Sequence, residues 1–150
     1  MRPTYDPTVR GLCAKPYPLH PKGCPNFGKK TGCPPKAPRL CDVFYLGLPC
    51  FVIVNRFDLG AHVAKMREAH PGWSKRQLEC CLYWQGTARR HLEGMIVRFE
   101  LMHPTYFVER CPEAMGLNVT ETLRRHHVDI EWPPVTVATQ VAFAGVPRKD

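Results

Sequence analysis

The sequence predicts an α+β domain: a small β-sheet backed by helices, preceded by a Pro/Cys-rich N-terminal metal-binding module. Three observations carry this. The chain of 150 residues is 44% hydrophobic and 23% charged, enough for one domain with a real core. After residue 50, β-branched and aromatic runs alternate with segments of helical periodicity. Residues 1–50 hold 10 of the 16 prolines and five of the eight cysteines. Proline removes backbone donors and fixes φ, so residues 1–50 cannot form a long helix or a central strand. The whole chain, 1–150, reads as one domain, with residues 1–50 as the Cys/Pro-rich segment and 51–145 as the α+β core.

The elements follow in order. Cys50-Phe51-Val52-Ile53-Val54-Asn55-Arg56-Phe57 reads as a buried strand. Asp58 is a good N-cap for a helix from Leu59 to Ala69, which Pro71-Gly72 ends. Ser74 and Gln77 have capping-box spacing. They predict one long helix from Lys75 to Leu101, stopped before Pro104. Leu78, Cys81, Leu82, Leu92, Met95, Ile96 and Phe99 would form its apolar stripe. Asn118 and Glu121 start a helix to about His127. Val128-Asp129-Ile130-Glu131-Trp132 alternates like a half-buried strand before Pro133-Pro134, and Val135 to Ala144 reads as a final strand.

Composition excludes some classes. No run of 18 apolar residues exists, and the opening Met1-Arg2-Pro3-Thr4-Tyr5-Asp6 is polar, without the apolar stretch of a secretory signal. The expectation is a cytoplasmic protein without membrane association. In a reducing compartment, clustered cysteines more often bind metal than pair as disulfides. The net charge of +8 permits anionic partners. No Gly-rich phosphate fingerprint, G-x-S-x-G or H-E-x-x-H is present.

The stretch with most chemistry is Gly23-Cys24-Pro25-Asn26-Phe27-Gly28-Lys29-Lys30-Thr31-Gly32-Cys33-Pro34-Pro35, with Cys13 upstream and Cys41 downstream. Thiolates suit zinc and iron–sulfur clusters. Eight residues between Cys24 and Cys33 allow a loop to return both sulfurs to one centre. Glycine lets the backbone turn tightly there. A proline follows each of the two cysteines, as it follows ligands in bacterial-type iron–sulfur loops. The spacing is not the C-x₂-C of a zinc ribbon. The residues alone also admit unpaired thiols in a proline-rich arm, or disulfides.

Cys24-Pro-Asn-Phe-Gly-Lys-Lys-Thr-Gly-Cys33-Pro-Pro resembles the Cys-Pro-Asn-Tyr-Gly-Lys…Cys-Pro-Pro signature of a family of predicted metal-binding proteins, domain of unknown function 2284. Cys111-Pro-Glu-Ala-Met-Gly-Leu-Asn-Val-Thr, followed by Ile130-Glu-Trp-Pro133, resembles that family's C-terminal block. The resemblance spans roughly residues 11–145 and implies a metal, with a [4Fe-4S] cluster favoured and zinc as the alternative. It implies no defined reaction. Cys13 stands further from the Cys-Pro-Asn element than its counterpart in the family. Only Cys80, Cys81 and Cys111 occur where many members carry a second cysteine series, so a shortened member with one centre is implied.

The expected ligands are Cys13, Cys24, Cys33 and Cys41, with Cys111 or His20 as other sources of the fourth. Three bound cysteines would leave an open iron for a redox, sulfur-transfer or accessory role. Cys80 and Cys81 diverge by about 100° on a helix and should not chelate together. Cys81 and Cys50 read as core. His126 and His127, beside Asp129, read as cations at a helix C-terminus. Glu113 and Glu121 read as helix-start carboxylates. Lys15, Lys22, Lys29, Lys30, Lys36 and Arg39, interleaved with Tyr17 and Phe27, surround the cysteines. They either offset an anionic metal–thiolate centre or form a nucleic-acid face around a structural zinc module. An interaction domain without metal is the third reading.

Overall fold

The computed structural model describes residues 1–18 and 20–149, and it is α+β. Three antiparallel strands form one sheet in the order β1 (Phe51–Asp58), β3 (Val137–Gly145), β2 (Phe107–Glu109). The register runs from Phe51 opposite Ala144 to Asp58 opposite Val137, and from Phe107 opposite Gly145 to Glu109 opposite Phe143. β3 is central, and its second half, Val141 to Gly145, is apolar and buried throughout. Five α-helices are described: α1 (Leu40–Val43), α2 (Leu59–Ala69), α3 (Lys75–Leu78), α4 (Cys81–Met102) and α5 (Val119–Arg124). None of the described helices is long and apolar enough to cross a membrane.

Strand alternation sorts the core onto two faces. On one face Ile53, Ala142, Ala144 and Val108 pack against Leu92, Ile96 and Phe99 of α4. Asn55, also on this face, is buried but satisfied, donating from Nδ2 to the Ala88 carbonyl at 2.9 Å. On the other face Val141 and Phe143 meet Leu40, Phe44, Met115, Leu117 and Leu123. Leu40 and Phe44 are fully buried, so the end of the proline-rich segment belongs to the core rather than to a satellite arm. Further ties come from a 3₁₀ turn (Pro7–Ala14) and its approach. Tyr5 bridges to Leu117, the Asp6 amide donates to the Gly116 carbonyl at 2.8 Å, and the Thr4 amide donates to Thr122 Oγ1 at 3.0 Å.

Four expectations change. The long helix is broken: Glu79 ends α3 and extended Cys80 starts α4. Leu78 and Trp84 are both buried, yet six residues of continuous helix would set them about 120° apart. The break lets both face inward, and the Trp84 indole N–H donates to the freed Glu79 carbonyl at 3.2 Å. The stripe is therefore Trp84, Ala88, Leu92, Ile96 and Phe99, while Leu82 is 86% exposed. Residues 128–132 alternate as expected, with Val128 and Ile130 packed inward, but they pair with no strand. Pro133 and Pro134 have no amides to offer, and the Glu131 side chain takes the amides of Val135, Thr136 and Val137 instead. α5 stops at Arg124, three residues early, and His127 adopts a left-handed φ of 58°. β2 had no sequence signal because three residues are too few to show a period. By contrast, α2 and its Asp58 cap, and the reciprocal Ser74–Gln77 box, stand where they were expected.

Candidate metal centre

The first 3₁₀ turn starts on an Asp6 cap, where the Thr8 amide and hydroxyl donate to Oδ1 at 3.0 and 2.6 Å. It delivers Cys13 near its end. The chain then reverses: Tyr17 and His20 exchange backbone hydrogen bonds, and their rings lie 4.6 Å apart. Gly23 follows with φ 78°. A Cβ at Gly23 would lie 2.9 Å from the carbonyl oxygen of Cys13 and from the carbonyl carbon and oxygen of Ala14. Only glycine fits this approach, and its result is a 2.7 Å hydrogen bond from the Cys24 amide to the Cys13 carbonyl.

The arc from Cys24 to Cys33 closes on itself. The Phe27 amide donates to the Cys24 carbonyl, and the Gly28 amide, at φ 72°, donates to the Pro34 carbonyl at 2.8 Å. The Cys33 amide donates to Lys30, and Cys33 in turn accepts from Ala37 at 3.0 Å. Gly28 thus brings the Cys24 end of the arc against the Cys33-Pro-Pro end.

Arg10 holds these pieces together. Its Nε donates to the Ala114 carbonyl and its Nη2 to the Pro35 carbonyl, both at 3.1 Å, with Nη2 also reaching the Ala37 carbonyl. Ala114 belongs to a second 3₁₀ turn, Pro112–Met115, whose N-cap is Cys111. One guanidinium therefore ties together the segments bearing Cys13, Cys33 and Cys111.

Electrostatics shows the same grouping. Burial, followed by the neighbouring thiols of Cys24 and Cys33 and the Glu113 carboxylate, pushes the Cys13 thiol up from its ordinary pKa. Cys111 is also pushed up by burial, with Glu109, Glu113 and Cys33 adding to it. Burial raises Tyr17, and so does the neighbouring Cys24 thiol. Glu113 is reachable by solvent yet walled by protein, and that desolvation raises its carboxyl. It stands in the first turn of Pro112–Met115, the helix-start place expected of it, and forms no ion pair among the described residues.

Cys41 lies in other company. Its thiol donates to Asp42 Oδ1 at 3.7 Å and neighbours Tyr5, whose phenol is raised by burial and then by Cys41. Cys50 is buried core, its thiol donating to the Met1 carbonyl at 2.9 Å. Cys80 is the uncapped N-cap of α4, and Cys81 is partly buried against Leu59, Trp84, Ala88 and Ala138. His126 and His127 are exposed in the turn after α5. Lys15, Lys22, Lys29, Lys30 and Lys36 are exposed, and none forms an ion pair among the described residues.

Among the described residues no three His, Cys, Asp or Glu side chains are already closed around one point. What is built is the backbone, which sets Cys13 beside Cys24 and folds Cys33 and Cys111 onto the same assembly. Sequence reading named Tyr17 among the residues around the cysteines but did not find Arg10, and it gave Glu113 no place beside them. Arg10 had no motif to mark it, because it acts on carbonyls rather than on side chains. The chain matches no family model, no curated protein and no solved structure.

Proposed function

We propose that this protein binds one metal centre through the thiolates of Cys13, Cys24 and Cys33, with Cys111 as the fourth donor in place of Cys41. The observation that carries the reading is the Gly23 approach, which pins the Cys24 amide to the Cys13 carbonyl. A close approach that admits no side chain sets the backbones of Cys13 and Cys24 side by side, as two ligands of one centre require. Cys111 is preferred because Arg10 joins its turn to the Cys33 segment, whereas Cys41 is engaged with Tyr5 and Asp42. His20 remains the alternative donor, since its backbone holds the Gly23 turn.

The donor set fits the group. Thiols are the soft ligands chosen by iron–sulfur clusters and zinc. A metal cation would offset the burial, and after it the neighbouring thiols, that now raise the Cys13 thiol. Because the sulfurs are not yet converged, ligand closure is part of binding, and metal affinity becomes folding free energy for the N-terminal segment. A [4Fe-4S] cluster remains favoured over zinc, on the Cys-Pro steps and on the resemblance to domain of unknown function 2284. Its role would be redox, sulfur-transfer or accessory.

Anaerobic purification followed by elemental analysis and absorbance spectroscopy tests this. Iron and sulfide with absorbance near 400 nm support the cluster. Colourless protein with stoichiometric zinc supports the structural zinc alternative. Protein that retains neither metal, or full metal content in Cys24→Ala and Cys33→Ala, overturns the proposal.

A further inference from the structure

A cavity of about 640 Å³ has Cys13 and Cys24 in one wall and extends beyond the proposed metal centre. Its walls come from segments distant in sequence: the first 3₁₀ turn, the start of α5, residues 130–132 and β3. The lining is mainly apolar, with Val9, Leu12, Val119, Ile130, Trp132 and Val141. Leu12 is 54% exposed and Trp132 is 67% exposed, so large apolar side chains stand open to solvent at a concave site. Polar groups are few: Tyr17, Asn118, Thr120 and Thr139 offer hydrogen bonds.

We propose that this cavity binds a neutral, mainly apolar small molecule, ring-bearing and with one or two hydrogen-bonding groups, and sets it against the wall formed by Cys13 and Cys24. The volume falls in the usual range of about 300–1,000 Å³ for small-molecule sites, and apolar walls with a few polar groups are their usual composition. Neutrality follows from charge. The lining holds one base, Lys15, and one acid, Glu113, so neither sign of ligand gains from it. No array of cations or glycine-rich loop is present to cradle a phosphate. A flat ring suits the exposed indole of Trp132, since aromatic surfaces gain beyond area when they stack. This inference rests on the cavity and not on the metal.

Nile red, a neutral aromatic dye with carbonyl and ether oxygens, is the probe. The purified full chain is titrated with it, following the blue shift of dye emission and the quenching of tryptophan fluorescence. Saturable binding with one site per chain is expected. Leu12→Ser combined with Trp132→Ala should weaken it by about tenfold or more, the equivalent of about 1.4 kcal/mol. Both positions are exposed, so the double variant should fold, which circular dichroism checks. The control is Leu82→Ser with Leu101→Ser on the outer face of α4, where the side chains are 86% and 79% exposed. It should change affinity less than about twofold. Mass spectrometry of iodoacetamide labelling, with Cys41 as internal reference, should show Cys24 protected by the dye in metal-free protein. Non-saturable binding, equal weakening in the control pair, or unprotected Cys24 at dye saturation overturns the proposal. Metal content is measured on the same samples, so dye binding by metal-free protein would leave this inference standing while the metal reading fails.

Discussion

Gly23 packs on the carbonyl of Cys13 so closely that a Cβ would lie 2.9 Å from its oxygen. The contact is to backbone, which cannot step aside as a flexible side chain could. The φ of 78° adds to the constraint, since side-chain-bearing residues rarely adopt it. Gly23→Ala should therefore cost about 1–3 kcal/mol in strain, and it should do so at the Cys13–Cys24 pairing. Exchange of the Cys24 amide should accelerate and, if the metal reading is right, metal should be lost to a chelator more readily than from the native chain. Gly32→Ala is the control: nothing lies within 4 Å of a Cβ there, and both properties should stay as they are. Equal behaviour of the two variants would show that the close approach has no bearing on the cysteines.

Arg10 makes a sharper case, because three carbonyls depend on one side chain. Hydrogen bonds to a charged donor contribute about 1.5–3 kcal/mol each when lost from a protected place. Arg10 is half-buried, so the lower end applies, and Arg10→Met should cost about 2–3 kcal/mol in denaturant unfolding. Arg10→Lys should rescue little, since an ammonium cannot present the guanidinium fork to carbonyls on separate segments. If the metal reading is right, the same two variants also bind metal less tightly. Unchanged stability in Arg10→Met would mean that the segments bearing Cys33 and Cys111 hold together without it.

The sequence disclosed local structure well and assembly poorly, for physical reasons. Asp58 and Ser74 were legible because a cap acts within three residues of itself. β1 was legible because β-branched residues fit a pleated, half-buried surface. The break at Cys80 was hidden, since it is forced by the joint burial of Leu78 and Trp84, which no local preference reveals. Cys81 illustrates the same limit: on the assumed stripe it belongs in the core, but the break turns it to a partly buried edge. The Cys24–Cys33 arc could be read from glycines and prolines. Cys111 could be offered only as one of several fourth ligands, because its tie to the Cys33 segment runs through Arg10 and backbone carbonyls. The cavity was likewise invisible, as its walls meet only after folding.

The lysines around the arc separate two accounts of the basic charge. Lys29 and Lys30 are exposed and free of ion pairs among the described residues, and Phe27 beside them is 38% exposed. If they offset an anionic centre, replacing both by Gln should shift the reduction potential or the metal affinity of the loaded protein. RNA binding at 150 mM salt would then be weak before and after the change. If they form a nucleic-acid face instead, the double variant should lose affinity and its salt slope should fall by about 2, one counterion per phosphate contact. Charge offset is the expected outcome, since the lysines track the cysteines while the rest of the chain mixes both signs.

Glu131 sets an acid limit on the start of β3. Its carboxylate accepts from the amides of Val135 at 2.9 Å, Thr136 at 3.0 Å and Val137 at 3.0 Å, and from the Thr136 hydroxyl at 2.6 Å. These bonds, led by those from Thr136, hold its pKa down to about 2 against an ordinary value of 4.5. A carboxyl with a depressed folded pKa stabilises the fold above its unfolded pKa and loses that contribution as pH falls. The window therefore lies between about 4.5 and about 2. Asp6, Asp42, Glu93 and Glu121 are also depressed, so the native chain will lose stability in acid from several sources. The difference between native protein and Glu131→Gln isolates this one. The variant keeps an acceptor oxygen but not a charge, so it should melt at a lower temperature at pH 7. As pH is lowered the two melting temperatures should converge, becoming nearly equal close to pH 2. A gap that stays constant from pH 7 to pH 3 would show that the charge of Glu131 does not hold the turn, and that its oxygens act as neutral acceptors.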